Sequence, residues 1–458
     1  MDRRNLRLVL VISILASFVA FLDSSVVNVA LPKIVEDMGG GLAIQQWIAD
    51  AYLLTLGSLI LLAGSLSDIF GRKRILSVGL IGFGIASILC AIAPTDTFLI
   101  IARGLQGIFG ALLVPSSLAI IISHFKGAEQ AKAIGTWTAW TGIAFIIGPL
   151  FGGYLVDTFT WRWIFAINVV PIAICLWLIY LLRTNEIQTK RELDGWGALL
   201  GSLGLFGTVY ALIEQPNYGW SDTKIWLPLV LGLLLLVTFI FYERRTPNAM
   251  LPLSLFKIRN FTAGNIATLA IYGALSIATF IIVIFLQEVG GFSAFHAGLS
   301  LLPVTIIMFI LSPRFGKLAG TYGPRWFMTS GPILSGFGFM LMLSIAAPVN
   351  FFTQLLPGIL VFSVGLSMTV APLTSAVLGD IERSNSGIAS AVNNAIARIS
   401  GLIAIAVIGV IIGQNITVDS FRRTLAFTAA LLIIGGIASA IGVRNHQTKL
   451  QPQADAGT

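Results

Sequence analysis

The sequence predicts an all-α polytopic membrane protein with fourteen transmembrane helices, built as two six-helix halves related by a parallel repeat plus a two-helix insertion. Composition is the first observation behind this prediction. Of 458 residues, 56% are hydrophobic and only 10% are charged, whereas soluble domains average about 25% charged residues. The second observation is a series of apolar stretches whose lengths are close to the roughly 20 residues that cross a bilayer core. The third observation is an internal repeat.

Fourteen apolar stretches qualify as spans. Span 1 is the clearest, because Leu8–Leu22 contains no charged residue. The later spans are bounded by short loops that hold most of the charges. In order, the expected spans are 8–31, 45–66, 75–93, 98–122, 132–156, 163–182, 196–214, 225–242, 262–287, 297–319, 325–346, 354–379, 387–413 and 424–443.

The positions of lysine and arginine orient the chain. With a cytoplasmic N-terminus, 21 of the 28 lie in inner loops, five in outer loops, and Arg103 and Arg398 within spans. This excess fits the positive-inside rule, so both termini are expected in the cytoplasm. The outer set is Lys33, Arg162, Lys224, Arg422 and Arg423. The inner set is Arg3, Arg4, Arg7, Arg72, Lys73, Arg74, Lys126, Lys132, Arg183, Lys190, Arg191, Arg244, Arg245, Lys257, Arg259, Arg314, Lys317, Arg325, Arg383, Arg444 and Lys449.

The chain contains an internal repeat. The loop after span 2 reads GSLSDIFGRKR, and the loop after span 10 reads GKLAGTYGPRW, with Gly, Leu and Gly at the same spacing. Spans 1–6 therefore correspond to spans 9–14. Parallel halves are a recurrent transporter plan with a site between the halves near mid-membrane. We expect an N-terminal bundle at 1–183, a linker with two extra spans at 184–261, a C-terminal bundle at 262–443 and a cytoplasmic tail at 444–458.

Four motifs resemble those of one family. They are LDSSVVNVALP in span 1, GSLSDIFGRKR after span 2, RGLQGIFGALLVP in span 4 and TGIAFIIGPLFGGYL in span 5. In order and on these helices, they resemble the fourteen-helix drug–proton antiporters of the major facilitator superfamily, and the resemblance covers essentially the whole chain. It implies export of amphipathic, often cationic drugs in exchange for protons.

Three charged residues are expected in the outer half of the membrane. At 1.5 Å per residue, Asp23 lies roughly 12 Å below the outer end of span 1, and Arg103 and Asp50 lie roughly 8 Å deep in spans 4 and 2. Charges at such depth normally face a cavity or one another. Asp23 is therefore either a structural partner of Arg103 or a proton carrier whose proton affinity is set by burial against the arginine charge. Asp50 is a second candidate carrier.

Gln106 lies one turn below Arg103. Its side chain is expected to hydrogen-bond either a substrate or the first helix. The sequence leaves these two readings open.

The loop between spans 2 and 3 carries the candidate gating residues Gly64, Asp68, Gly71 and Arg72. If the halves are homologous, this loop faces the inner end of span 13, which is expected to begin near 385–387. A carboxylate near a helix N-terminus is favourable by about 0.3–1 kcal/mol. Such a contact would form only while the inner gate is shut, so Asp68 is expected to bias the conformational equilibrium. The resemblance implies the same role.

A kinked, close-packing stretch lies in span 5. Gly148 and Gly152 form a G-x-x-x-G pattern, which usually serves helix packing. Pro149 removes a backbone hydrogen bond and bends the helix, and Gly153 follows. The resemblance associates this stretch with exchange rather than uptake.

Arg398 in span 13 lies roughly 16 Å deep at 1.5 Å per residue, near the midplane. No acid of the second half is expected at that depth. A positive midplane charge favours monocations, zwitterions or molecules with an anionic group over dications, and places Arg398 and Asn394 in the substrate pathway. Alternatively, Arg398 hydrogen-bonds helix carbonyls or the side chains of Asn393 and Asn394.

These features predict a proton-coupled antiporter of monocationic or zwitterionic drugs in the cytoplasmic membrane, active as a monomer in lipid. The chain has no phosphate-cradling GxxxxGK[ST] loop and no Cys/His cluster with metal-ligand spacing, so no enzyme activity, cofactor, metal or nucleic-acid partner is expected. Two alternatives are a transporter of a single nutrient or metabolite, and a non-transporting sensor or scaffold on the same fold. The buried Asp23 and Arg103 argue against the last.

Overall fold

A computed structural model describes residues 3–182, 193–247, 249–382 and 385–445. Within these ranges it contains fourteen helical spans long and apolar enough to cross a membrane, and no strand. The predicted fold class is confirmed. Arg183, Lys190, Arg191, Arg383 and Lys449, most of the predicted 444–458 tail and the start of the predicted linker lie outside the described residues.

The observed helices follow the predicted spans closely. Those of the first half are Arg3–Met38, Leu42–Phe70, Arg72–Ala91, Asp96–His124, Gly127–Thr158, and a sixth span made of Trp163–Ala166 and Val169–Leu181. Spans 7 and 8 are Gly195–Tyr218 and Thr223–Arg245. Those of the second half are Arg259–Glu288, a tenth span made of Ala294–Leu299 and Leu302–Tyr322, then Pro324–Leu341, Leu356–Gly379, Ser386–Ile412 and Val418–Gly442.

Three connections contain short helical turns. A 3-10 turn at Leu253–Lys257 precedes span 9, and a second at Met342–Ser344 follows span 11. A π-helical turn at Phe351–Leu355 leads directly into span 12.

The repeat is visible in the backbone. Gly71 joins spans 2 and 3 with φ 96°, and Gly323 joins spans 10 and 11 with φ 86°. Both conformations lie in the left-handed region that glycine adopts without steric cost. The two repeated glycines therefore make the same abrupt turn in the two halves.

Two helix boundaries differ most from the predicted ones. Span 1 continues to Met38 through Pro32, so Lys33 lies within a helix rather than in an outer loop. Arg422 and Arg423 likewise lie inside span 14, which begins at Val418. Arg422 donates to the carbonyl of Ile345 at 2.6 and 3.0 Å, which explains how a cation is held at this helix end.

The two halves meet mainly where span 2 packs on span 13, span 5 on span 10 and span 1 on span 9, and span 1 also touches span 10. We call the two ends of the helices inner and outer according to the predicted orientation. The hydrogen bonds that join the halves within the described residues lie toward the outer end. Gln45 donates to Glu288 at 2.6 Å, and Gln287 donates to the carbonyl of Val29 at 3.0 Å. The outer end is therefore closed in this structure.

Spans 7 and 8 form a hairpin at the edge of this contact. Span 7 packs against spans 2 and 13, where Leu205 and Val209 share an apolar cluster with Leu54 and Leu402. Its outer end is tied to span 2 by Trp47, whose indole donates to Glu214 at 2.8 Å. Span 8 packs mainly on span 7 and exposes most of its apolar side chains, as expected for a lipid-facing helix.

Candidate functional site

The acid of the first helix lies at the centre of a buried polar cluster. Asp23 has no solvent exposure. Its carboxylate accepts hydrogen bonds from Arg103 Nη1 at 2.6 Å, Gln106 Nε2 at 2.8 Å and Asn168 Nδ2 at 2.9 Å. Spans 1, 4 and 6 thus place one carboxylate among three donors. The predicted meeting of Asp23 and Arg103 is what the structure contains.

The arginine of the cluster is held on both faces. Its Nε donates to the carbonyl of Ile48 at 3.1 Å, and Nη1 also donates to Gln106 Oε1 at 2.6 Å. The guanidinium carbon lies 4.4 Å from the centre of the Tyr52 ring, within cation–π range. Span 2 therefore contributes a carbonyl and an aromatic face to the pair formed by spans 1 and 4.

Gln106 is occupied within the cluster. Its oxygen accepts from Arg103, its amide nitrogen donates to Asp23 and to Ser87 Oγ at 2.9 Å, and the residue is fully buried. The glutamine contacts the first helix, which was one of the two expected readings. Its polar atoms are all used internally, so it supports the carboxylate instead of facing a substrate.

Two cluster members were missed in the sequence. Asn168 lies at the break between the two helical pieces of span 6, and Ser87 is one of two serines in span 3. The available signal was a polar side chain inside an otherwise apolar stretch, which for serine is too common to be informative. Asn168 in WRWIFAINVVPI was the more detectable of the two.

Asp50 is buried elsewhere. It has no solvent exposure, and neither carboxylate oxygen has a hydrogen-bond partner among the described residues. On the same helix, Gln46 donates to the carbonyls of Ile405 and Ala406 in span 13, and Gly57 packs on Arg398. Residues 46, 50 and 57 share one helix face. Asp50 therefore points toward the other half, and the expected grouping of three charges contains only two.

Arg398 reaches across from the second half to the first. Its guanidinium carbon lies 5.2 Å from the centre of the Phe21 ring, and its Cβ lies 3.5 Å from where a Cβ on Gly57 would stand. Within the described part of the chain it forms no hydrogen bond or ion pair. The predicted alternative, hydrogen bonds to helix carbonyls or to Asn393 and Asn394, is not found among the described residues, and the Asn393 amide donates instead to Asn265 and Thr268 of span 9.

Asn394 adjoins this residue in the sequence. Its side chain forms no hydrogen bond with any residue that the structure describes, and it is partly exposed. The sequence assigned it to the substrate pathway. That assignment stays a prediction.

The loop between spans 2 and 3 is anchored to span 4. Arg72 pairs with Asp68 at 3.0 Å and donates to the carbonyl of Ala119 at 2.8 Å. Gly71 provides the turn described above, and a Cβ on Gly64 would meet nothing within 4 Å. Span 13 begins at Ser386, as expected. The gating role of this loop stays a prediction.

The glycines of span 5 divide between two neighbours. Gly148 packs on Ser25 and Gly152 on Val26, both in span 1 of the same half. A Cβ on Gly153 would lie 2.6 Å from the Cα of Phe295 in span 10. The carbonyl of Pro149 also faces span 10. One stretch thus packs within its half and touches the other half.

Two helical halves, the first of which buries an acid–arginine cluster within its bundle, are the plan of secondary membrane transporters. A family model described as Major Facilitator Superfamily matches residues 13–405, and the chain belongs to this family of transporters.

Several relatives are named for resistance. The chain is 32% identical over 412 residues to the puromycin resistance protein pur8 of Streptomyces alboniger, covering 88% of this chain and 81% of that one. It is 33% identical over 410 residues to the methylenomycin A resistance protein of Bacillus subtilis, covering 89% and 88%. The multidrug resistance protein Stp of Mycobacterium tuberculosis is 33% identical over 422 residues, covering 89% and 76%.

Solved structures show the same fold. A bacterial homologue of the human lysosomal transporter Spinster matches with a TM-score of 0.70 at 13% identity, covering 96% of this chain and 98% of that one. A peptide transporter solved with sulfate matches with a TM-score of 0.70 at 14% identity, covering 95% and 93%. At such identities the likeness concerns the fold alone.

Proposed function

We propose that the protein exports amphipathic drugs across the cytoplasmic membrane in exchange for protons, by alternating access of one site to the two sides. Drug export is supported by relatives whose names record resistance to puromycin, to methylenomycin A and to multiple drugs. These relatives match most of this chain, and the match extends over most of their own length.

The observation that carries proton coupling is the buried cluster around Asp23. Its carboxylate gathers donors from spans 4 and 6 at one position of span 1. When Asp23 takes up a proton, the Arg103 charge loses its counter-charge but keeps the Ile48 carbonyl and Gln106 as acceptors. The two protonation states therefore stabilise different arrangements of spans 1, 4 and 6. A proton taken up from outside can thereby be coupled to movement.

Asp50 is the second candidate carrier. Its carboxylate is buried without a hydrogen-bond partner among the described residues, and its helix face lies against span 13. Opening the outer contact between spans 2 and 13 would bring water to this carboxyl. Asp50 is thus suited to gain or lose a proton only when the halves separate.

Arg398 supports a substrate class. It is a positive charge near mid-membrane that lies on the face of Phe21 and lacks a hydrogen bond or ion pair among the described residues. Dications would be repelled there. Monocations bound at a distance, zwitterions and molecules with an anionic group fit better, and Asn394 offers a further polar contact along this path.

A transporter dedicated to one compound is the second candidate function. Arg398 favours it, because a fixed midplane charge can select one anionic group. Several relatives are also named for single compounds, including a probable actinorhodin transporter of Streptomyces coelicolor. A panel of structurally unrelated dyes discriminates between the two, because a dedicated transporter would move at most one chemical class.

Topology and assembly complete the proposal. Both termini face the cytoplasm, in keeping with the positive-inside excess of lysine and arginine. The functional unit is one chain in lipid, with an N-terminal bundle at 1–183, a linker with two spans at 184–261 and a C-terminal bundle at 262–443.

Efflux from energised cells tests the function. Cells that express the protein should expel amphipathic dyes faster than cells carrying an empty vector, and a protonophore should abolish the difference. Asp23→Asn expressed at the same level should behave as the empty vector. Dye export that persists at full rate with the protonophore would reject proton coupling.

A further inference from the structure

A carboxylate of the first half caps the start of span 10 in the second half. Asp157, in the last turn of span 5, accepts the backbone N–H of Ala294 at 3.1 Å and that of Phe295 at 2.9 Å. Both donors are at the first two residues of the span. The contact lies at the outer end, where the two halves are closed.

The helices carrying these groups touch at backbone distance. A Cβ on Gly153, one turn before Asp157, would lie 2.6 Å from the Cα of Phe295 and 2.8 Å from the carbonyl oxygen of Ala294. A Cβ on Gly298 would likewise collide with the carbonyl of Pro149. Glycine on each helix thus allows the approach that brings the Asp157 carboxylate to the N–H groups.

The start of a helix needs such acceptors. Its first four N–H groups have no acceptor within the helix, and its partial positive charge favours an anion. Ser293 supplies one acceptor locally, to the N–H of His296. Asp157 supplies the acceptor for Ala294 and Phe295 from the other half, so these hydrogen bonds exist only while the outer ends are together.

We propose that Asp157 is a gating residue that holds the outer end closed through this contact with span 10. The inference rests on the proposed alternating-access function. Removing the Asp157 carboxylate should favour the outer-open state. The closed state loses two hydrogen bonds to the carboxylate, whereas in the open state water already satisfies the N–H groups.

Labelling of a buried cysteine measures this balance. Val29 is fully buried, and its carbonyl accepts a hydrogen bond from Gln287 of span 9. A cysteine at this position, Val29→Cys, therefore reports opening of the outer contact. A membrane-impermeant maleimide added outside should react at a rate that follows the outer-open fraction. Native Cys90 and Cys175 are both buried, and the chain without Val29→Cys gives their background.

The expected result is a faster reaction when Asp157 is changed. Asp157→Ala should raise the labelling rate of Val29→Cys about fivefold, which corresponds to about 1 kcal/mol in the opening equilibrium. Asp37→Ala is the matched control. Asp37 is also an outer carboxylate, but it accepts from Trp161 at 2.9 Å and Arg162 at 3.1 Å, both in its own half. It should leave the rate unchanged.

A second pair of variants tests the helix approach. Gly153→Ala should also accelerate labelling, because its methyl group would meet the backbone of Phe295. Gly142→Ala, in the same helix, would meet nothing within 4 Å and should not. An unchanged rate in Asp157→Ala, or an equal increase in Asp37→Ala, would overturn the proposal. The measurement needs no drug and no proton gradient, so failure of the efflux test would leave its result intact.

Discussion

At the scale of single residues, two buried acids differ in what surrounds them. Asp23 is paired with Arg103 and has two amide donors, whereas Asp50 has no hydrogen-bond partner within the described residues. Breaking a buried ion pair by removing one partner costs about 3–5 kcal/mol. A carboxyl without a partner has no such interaction to lose.

Neutralising the two acids should affect the thermal stability of the protein differently. Asp23→Asn should lower the melting temperature of the purified protein, because Arg103 is left buried without a counter-charge. Asp50→Asn should lower it less, because the change removes no hydrogen bond or ion pair among the described residues. Thermal unfolding in detergent, monitored through the exposure of the buried cysteines, compares the two variants. Equal destabilisation by both variants would contradict the assigned environments.

Drug efflux should depend on both the charge and the planar shape of the Arg103 side chain. Arg103→Ala should impair drug efflux more than Arg103→Lys. The lysine keeps a positive charge beside Asp23 but loses the fork that reaches Asp23, Gln106 and Ile48. Transport assays at matched expression provide the measurement. Wild-type efflux in the alanine variant would show that the pair is not coupled to transport.

At the scale of elements, the helices divide their faces between neighbours within a half and neighbours across it. Span 2 turns Tyr52 toward Arg103 and Gln46 toward span 13. Span 5 uses Gly148 and Gly152 within its half and Gly153 across it. A span that contacts both halves is placed to transmit movement, because a change at the cluster would displace the face that meets the other half.

The inner loop offers a test at this scale. Asp68→Asn should shift the resting population toward the inward-open state, because the carboxylate would no longer stabilise the inner end of span 13 when the inner gate closes. Reactivity of cysteines placed on the inner faces of spans 5 and 13 reports the shift. Unchanged accessibility would reject this role for Asp68.

At the scale of the whole molecule, the proton count sets the driving force. If one proton at Asp23 is exchanged for one monovalent cation, the cycle moves no net charge. If the drug is neutral or zwitterionic, the same proton carries one charge inward. The membrane potential then adds about 2.3 kcal/mol per 100 mV for each charge moved.

Proteoliposomes distinguish these cases. Collapsing the potential with a potassium ionophore should slow export of a neutral drug and barely affect export of a monocation, with the pH gradient held constant. Strong potential dependence for a monocation would indicate two or more protons per cycle, with Asp50 as the leading second carrier. Transport that ignores both gradients would reject antiport.

The sequence alone determined the class, the fourteen spans, the repeat and the meeting of Asp23 with Arg103. Each depends on local or periodic information. A bilayer requires about 20 apolar residues per helix, and charges within it normally face a cavity or one another. The two repeated turn glycines have the same left-handed backbone conformation, so the repeat seen in the sequence is also present in the structure.

Only the tertiary structure decided which helix face meets which neighbour. Helical spacing shows that Gln46 and Gly57 share a face, but not that this face lies against span 13. Asn168 joined the cluster because span 6 breaks beside Asp23, and Asp157 reached span 10 because glycines bring two distant helices into backbone contact. These contacts join residues more than 100 positions apart, so they depend on how the helices pack and not on any local pattern.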